Sequence, residues 1–97
     1  MGYYTRYDIS DNPETVQQAI EEKSQYSFYN GQTEEVKWYD WKQHCLEVSK
    51  DFPNLVISVS GDGEEQGDQW KAYLKDGKMQ IEKAVVTFEA FDEARLY

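Results

Sequence analysis

The sequence WKAYLKDGKMQIE, residues 70–82, has the clearest β-hairpin pattern in the chain. Apolar and polar side chains alternate on both sides of Asp76-Gly77, a dipeptide that favours a two-residue type I′ turn. Such a turn places Leu74 opposite Met79, and it collects the apolar side chains of both strands on one face. The segment therefore predicts two antiparallel strands with one buried side.

Two further strands are predicted upstream of the hairpin. Residues 55–60, LVISVS, are β-branched and alternating, which indicates a central strand with Leu55, Ile57 and Val59 on its apolar face. Residues 3–9 are rich in aromatic side chains and predict a first strand.

A second turn is predicted at Asn30-Gly31, between short aromatic runs at residues 26–28 and 36–39. A two-residue turn at this point would pair the first run with polar residues and not with the second run. An odd-length loop or a bulge would restore the match between two strands. Alternatively, residues 30–35 form a longer exposed loop.

Two amphipathic helices are predicted between these strands. The first begins at Pro13, with Asp11 or Asn12 as its cap, and ends near Lys23 or Ser24. The second begins after Asp40, which is predicted to cap it, and ends before Pro53. Their apolar stripes are Val16, Ala19 and Ile20 in the first helix, and Trp41, His44, Cys45, Val48 and Phe52 in the second.

These elements predict one α+β domain over residues 1–97. Its order is β-α-β-α-β-β-β, an antiparallel sheet of about five strands with two helices packed on one face. After Lys83 the apolar positions change from odd to even numbers, which predicts a bulge or break between Glu82 and Ala84.

Composition excludes several classes of protein. The 97 residues carry a net charge of −9, and 39% are hydrophobic, so the chain folds but has the wrong sign for binding nucleic acid directly. No apolar run is long enough to span a membrane. The single cysteine, Cys45, excludes an internal disulfide and fits a reducing compartment, so we expect the protein in the cytoplasm.

The sequence contains no pattern that indicates catalysis, a cofactor or a metal centre. His44 and Cys45 are adjacent in a predicted helix and point about 100° apart, so they cannot act as base and nucleophile. Asp40 and His44 supply two ligands at most, too few for a transition metal. We therefore expect a protein that is not an enzyme.

The connection between the predicted strands, GDGEEQGD at residues 61–68, carries four carboxylates. It is a plain solvated connection, a partner contact, or a module that binds calcium or another small ligand. Tyrosines on the outer faces of strands, beside acidic residues, form either a protein-binding surface or a solvated, tyrosine-rich face of the sheet. The candidate partner-binding residues are Asp62, Glu64, Glu65, Asp68, Tyr39 and Tyr73.

Three stretches resemble a family of small, uncharacterised acidic proteins encoded by phages and prophages. They are KWYD at 37–40, VSKDFP at 48–53 and SGDGEEQGDQWKAY at 60–73. The Ser-Lys-x-Phe-Pro part is also similar to phage and plasmid ferredoxin-like domains, which implies a variant of that fold. The resemblance implies an accessory protein that binds a host protein with a basic surface, in the host cytoplasm. The most specific function that this resemblance implies is inhibition of a nucleic-acid-binding or defence protein, of the anti-CRISPR or DNA-mimic type.

Overall fold

Four strands, two α-helices and one 3₁₀-helix form along residues 3–65, 67–84 and 90–97, which the computed structural model describes. In chain order they are β1 (Thr5–Asp8), α1 (Glu14–Ser24), α2 (Trp41–Asp51), β2 (Ile57–Gly63), β3 (Gln69–Lys75), β4 (Lys78–Lys83) and the 3₁₀-helix Glu93–Arg95. The strands make one antiparallel sheet in the order β1-β2-β3-β4. The α+β class, the antiparallel sheet and the two helices are thus confirmed.

The β3–β4 hairpin has the predicted register. Leu74 lies opposite Met79, and Lys71 lies opposite Glu82. Asp76 and Gly77 both have positive φ, 46° and 78°, as a type I′ turn requires. The local turn chemistry therefore sets this half of the sheet.

The prediction of about five strands is not confirmed: four form along the described residues, and the runs at 26–28 and 36–39 are not strands. The Asn30-Gly31 turn itself is present, with φ values of 51° and 80°, and Tyr29 and Gln32 bridge across it. The observed order is β-α-α-β-β-β, so the ferredoxin-like order is not confirmed.

The chain after this turn bonds to β1, which explains why no second hairpin forms. Ile9 N donates to Gly31 O at 2.7 Å, and Thr33 N donates to Tyr7 O at 2.9 Å. Further along, the N–H of Val36 and its carbonyl both bond to Thr5. These isolated contacts use the backbone groups that a second strand pair would need, and they cover the outer edge of β1.

Both helices pack on one face of the sheet around a single core. Ile57 and Val59 of the central strand are completely buried, as predicted, but Leu55 lies before β2 and is 37% exposed. The buried apolar residues are Tyr7, Ile9, Val16, Ile20, Trp38, Cys45, Val48, Ile57, Val59, Ala72 and Leu74.

The predicted side-chain caps do not form. Asp40 occupies the cap position of α2, and Pro13 that of α1, but neither helix has a side-chain cap hydrogen bond. Asn12 bonds to β2 instead: its Nδ2 donates to the carbonyls of Ile9 and Ser58, and its Oδ1 accepts from Ser58 N at 2.9 Å. This buried amide fastens the start of α1 to the central strand.

The far end of the sheet is joined to α2 by a serine. Ser49 is completely buried, and its hydroxyl accepts from Gly77 N at 2.8 Å while donating to Leu46 O. β4 ends at Lys83, inside the interval where a break was predicted. Val86 and Phe88, on which that prediction rests, lie outside the described residues.

Within the described ranges, none of the helices has the length and apolar character needed to cross a membrane.

Asn12→Asp is expected to destabilise the domain by about 3 kcal/mol. The variant loses both N–H donors of the amide, and its negatively charged carboxylate then faces the carbonyl oxygens of Ile9 and Ser58. For a domain of this size the melting temperature should fall by more than about 10 °C. Asn54→Asp makes the same chemical change at an exposed site and should melt like the wild type. Equal melting temperatures for the two variants would show that the Asn12 amide does not hold α1 to β2.

Candidate protein-binding surface

The hydroxyl of Tyr3 joins the start of the chain to the β2–β3 connection. It donates to Asp68 Oδ2 at 2.5 Å and accepts from Glu65 N at 3.1 Å. The hydrogen bond to Asp68 raises the pKa of Tyr3 above its ordinary value. Tyr3 N in turn donates to the hydroxyl of Tyr39 at 3.3 Å. One residue thus contacts three of the predicted binding positions.

Tyr4 makes a parallel set of contacts. Its N–H donates to Glu64 Oε1 at 2.7 Å, and Lys37 Nζ lies 4.7 Å from the centre of its ring. Because the backbone of Tyr4 is fixed by β1, the Glu64 carboxylate is held in place although the residue is exposed.

Gly63 permits the close approach of these groups. A Cβ at this position would overlap with Asp68 Oδ2 and with the Tyr3 hydroxyl. Gly63 N also donates to Asp68 O, and Asp68 N donates to Glu65 O, which closes the connection into a tight turn. The glycine-rich sequence therefore has a steric cause and does not indicate a phosphate-binding loop.

Four of the six predicted binding residues, Tyr39, Glu64, Glu65 and Asp68, are joined through Tyr3 and Tyr4. Asp62 adjoins them in sequence, with its side chain on the outer face of the sheet, and Tyr73 lies apart. Asp62 is exposed on β2 opposite Gln69 and next to the turn. Tyr73 lies opposite Ser58, four residues further along β3, a separation of about 13 Å. We name the grouped residues the acidic tyrosine surface: Tyr3, Tyr4, Tyr39, Asp62, Glu64, Glu65 and Asp68.

Sequence reasoning missed the part played by Tyr3. Its role depends on the pairing of Thr5 with Gly63, which places the residues before β1 beside the β2–β3 turn. The alternation within residues 3–9 shows which side chains share a face, but it contains no information about the partner strand.

An aromatic pocket of about 240 Å³ opens beside this surface. The indoles of Trp41 and Trp70 stack at one side of it, with ring centres 4.3 Å apart and planes 19° apart. Gly61 also lies against the Trp70 ring, and a Cβ at this position would overlap with it. The pocket is lined by Tyr3, Thr5, Tyr7, Trp38, Tyr39, Trp41, Asp68 and Trp70.

The floor of this pocket is part of the core. Tyr7 donates its hydroxyl hydrogen to Trp38 O, and its ring packs edge-on against those of Trp38 and Trp70. Burial raises the pKa of Tyr7 to about 12. The aromatic excess of the sequence is therefore used mainly for packing, and the pocket is the gap between this cluster and Tyr39.

A second, polar groove of about 400 Å³ runs over the outer face of the sheet, with Asp62 at one end. Burial alone would raise the pKa of Asp8 in this groove, but hydrogen bonds from Ser10 and Gln32 and the charge of Lys71 outweigh that effect. The pKa of Asp8 is therefore lower than usual.

His44 and Cys45 do not form a reactive pair. The indole N–H of Trp38 donates to His44 Nδ1 at 2.9 Å, which gives the imidazole a structural partner. Cys45 is completely buried, and burial raises the pKa of its thiol to about 12. This arrangement agrees with the interpretation of Cys45 as a packing residue.

The carboxylates of the β2–β3 connection do not converge on a common point. Glu64 bonds to Tyr4, and Asp68 bonds to Tyr3. Along the described ranges, no three His, Cys, Asp or Glu side chains are grouped so that they could hold a metal ion.

Few of the acidic side chains have a cation nearby. The ion pairs among the residues that the structure describes are Arg6–Glu35, Lys23–Glu47 and Lys71–Asp11, and all six side chains are at least 39% exposed. Such pairs contribute about 0–1 kcal/mol each. The acidic tyrosine surface therefore keeps most of its negative charge.

No protein-family model, curated protein or solved structure matches this chain.

The Cys45 thiol is expected to resist thiol–disulfide exchange in the native protein. With a pKa of about 12, roughly one thiol in ten thousand is ionised at pH 8, and the side chain is also enclosed by the core. Labelling with a chromogenic disulfide reagent should be complete within minutes in guanidinium chloride and at least about a hundred times slower without it. Equally fast labelling of the native protein would contradict the burial of α2 against the sheet.

Proposed function

We propose that this domain is a non-enzymatic, phage- or prophage-encoded protein that binds a basic surface of a host protein. Its target is a nucleic-acid-binding or defence protein of the host cytoplasm, and it acts by occluding that surface, as an anti-CRISPR or DNA-mimic inhibitor does. The acidic tyrosine surface makes the contact. The phage origin rests on the sequence resemblance, and the binding mode rests on the geometry.

The observation that carries this proposal is the way in which the acidic turn is held. Glu64 Oε1 accepts from the N–H of Tyr4, the residue before β1, and the backbone N–H of Glu65 donates to the Tyr3 hydroxyl. A binding surface that is already ordered loses less conformational entropy when the partner arrives. Tyr39, which is 67% exposed, adds an amphipathic ring at the rim.

The overall charge favours the same kind of partner. A net charge of −9 on 97 residues attracts a basic groove and accelerates encounter at low ionic strength.

The absence of catalysis is part of the proposal. The single histidine is bonded to Trp38, and the single cysteine is buried with a raised pKa. Neither side chain is available as a nucleophile or as a general base in this arrangement.

Reversing the charge of the surface should abolish partner binding without unfolding the domain. We expect Asp62→Lys/Glu64→Lys/Glu65→Lys to lose at least about nine tenths of the host protein that the wild type captures from bacterial lysate at low salt. The matched control is Glu14→Lys/Glu22→Lys/Asp51→Lys, which makes the same change in net charge at exposed helical positions. Captured proteins are identified and quantified by mass spectrometry.

Two features of that capture distinguish the proposed target from incidental binding. The captured protein should be basic and should elute at moderate salt, and added duplex DNA should compete with the domain for it. Equal loss in both triple variants would mean that total charge matters and the surface does not. Full retention in the surface variant would contradict the proposal.

A calcium module is the alternative use of the same acidic connection, and the structure offers it little support. Calcium needs several oxygen ligands around one point, and along the described residues the carboxylates of this connection are not grouped in that way. We therefore expect millimolar calcium to leave the melting temperature unchanged, with magnesium as the control. A rise of several degrees with calcium alone would favour the ion-binding function.

A further inference from the structure

β4 is the open edge of the sheet. The opposite edge, β1, is covered by the chain at Thr33 and Val36, which bonds to it. Among the residues that the structure describes, no segment pairs with the outer side of β4. An open edge strand presents unpaired N–H and C=O groups that can accept another strand.

The hairpin register determines which residues present these groups. In a two-residue hairpin, Lys75 and Lys78 bond to each other, and bonded residues then alternate along the ladder. Ala84 N donates to Gln69 O at 2.9 Å, which agrees with this alternation. The backbone groups of Met79, Ile81 and Lys83 are therefore directed away from β3.

The sequence of β4 is complementary to itself about Gln80. When two copies are paired antiparallel with Gln80 on the two-fold axis, each Lys78 faces Glu82 of the other copy. Met79 faces Ile81 in the same way, so the residues with outward backbone groups lie opposite each other and make four interchain hydrogen bonds. In this one register opposite charges face each other, apolar side chains face each other, and outward N–H and C=O groups can pair.

The neighbouring symmetric registers lack this match. Centring the pair on Met79 places Asp76 opposite Glu82, which repel each other. Centring it on Ile81 leaves Lys78 opposite Ala84, without an opposite charge. Lysine on an edge strand ordinarily discourages pairing, but in the Gln80 register it gains a carboxylate partner.

The burial of β4 points in the same direction. Ile81 lies on the helix-covered face opposite Ala72, yet Ile81 is 37% exposed and Ala72 is completely buried. A second copy would extend the apolar layer across the edge, because its Met79 would lie beside Ile81. Each molecule contributes the same patch, as a closed two-fold interface requires.

The local charge also permits two acidic molecules to meet at this edge. The β3–β4 hairpin carries more basic than acidic side chains, unlike the chain as a whole. Its charged residues are Lys71, Lys75, Asp76, Lys78, Glu82 and Lys83. Repulsion between two chains of net charge −9 is therefore weakest where β4 lies.

We propose that two copies of this chain associate through β4, antiparallel and centred on Gln80, to form one continuous eight-stranded sheet. This association is independent of the proposed host partner, because it uses the opposite edge of the sheet from β1. Sedimentation velocity of the full chain over about 1–500 μM, at low and at moderate salt, should show a monomer–dimer equilibrium.

Charge exchange tests the register. In Lys78→Glu, two pairs of carboxylates face each other across the axis, and in Glu82→Lys two pairs of ammonium groups do so. Each single variant should dimerise about tenfold more weakly than the wild type. The double variant Lys78→Glu/Glu82→Lys should recover wild-type dimerisation, and an equimolar mixture of the two single variants should form a heterodimer.

The control is Lys42→Glu, the same charge reversal at an exposed position of α2, outside both strands of the hairpin. It should dimerise like the wild type. A wild-type protein that stays monomeric at every concentration overturns the proposal. The same result is expected if another part of the chain or a different protein occupies the edge of β4. A dimer that both single variants leave unchanged, or that the double variant fails to recover, excludes the Gln80 register.

Discussion

The pairing of β1 with β2 is the constraint on which the rest of the molecule depends. It joins segments from opposite halves of the chain, and closing so long a loop has an entropic cost that many weak contacts must offset. The amide of Asn12 fixes the register, because it bonds to both backbone groups of Ser58. With Thr5 opposite Gly63, the residues before β1 reach the β2–β3 turn. A shift by one residue would reverse every side chain of β1 and separate Tyr3 from Asp68.

Local signals predicted the elements well, and non-local contacts explain the failures. The Asp76-Gly77 turn, the burial of Ile57 and Val59 and the position of Cys45 all follow from patterns within a few residues. The Asn30-Gly31 turn was also predicted, but no hairpin follows it, because the backbone beyond it bonds to β1. Competition of this kind between two possible partners cannot be found in the composition of either segment.

The candidate site was predictable in its chemistry and less so in its arrangement. Clustered glycines and carboxylates indicated an exposed, acidic connection, and that region carries most of the residues chosen from sequence. Tyr73 was grouped with them because alternation shows the face of a strand and gives no position along the sheet. The aromatic residues were interpreted partly as a binding surface, whereas Tyr7, Trp38 and Trp70 form a packed cluster with Trp41. These rings extend a core whose completely buried side chains are mainly aliphatic, such as Ile20, Ile57 and Leu74.

The two glycines at the end of β2 separate the positions that must be kept from those that can vary. Gly61 lies under the Trp70 ring, and Gly63 lies against Tyr3 and Asp68, so neither position has room for a side chain. Asp62, Glu64 and Glu65 alternate with or follow these glycines and project into solvent. Substitutions at the exposed positions 62 and 65 are therefore expected to leave the fold intact. A side chain at position 61 or 63 would instead displace Trp70 or the Tyr3–Asp68 pair.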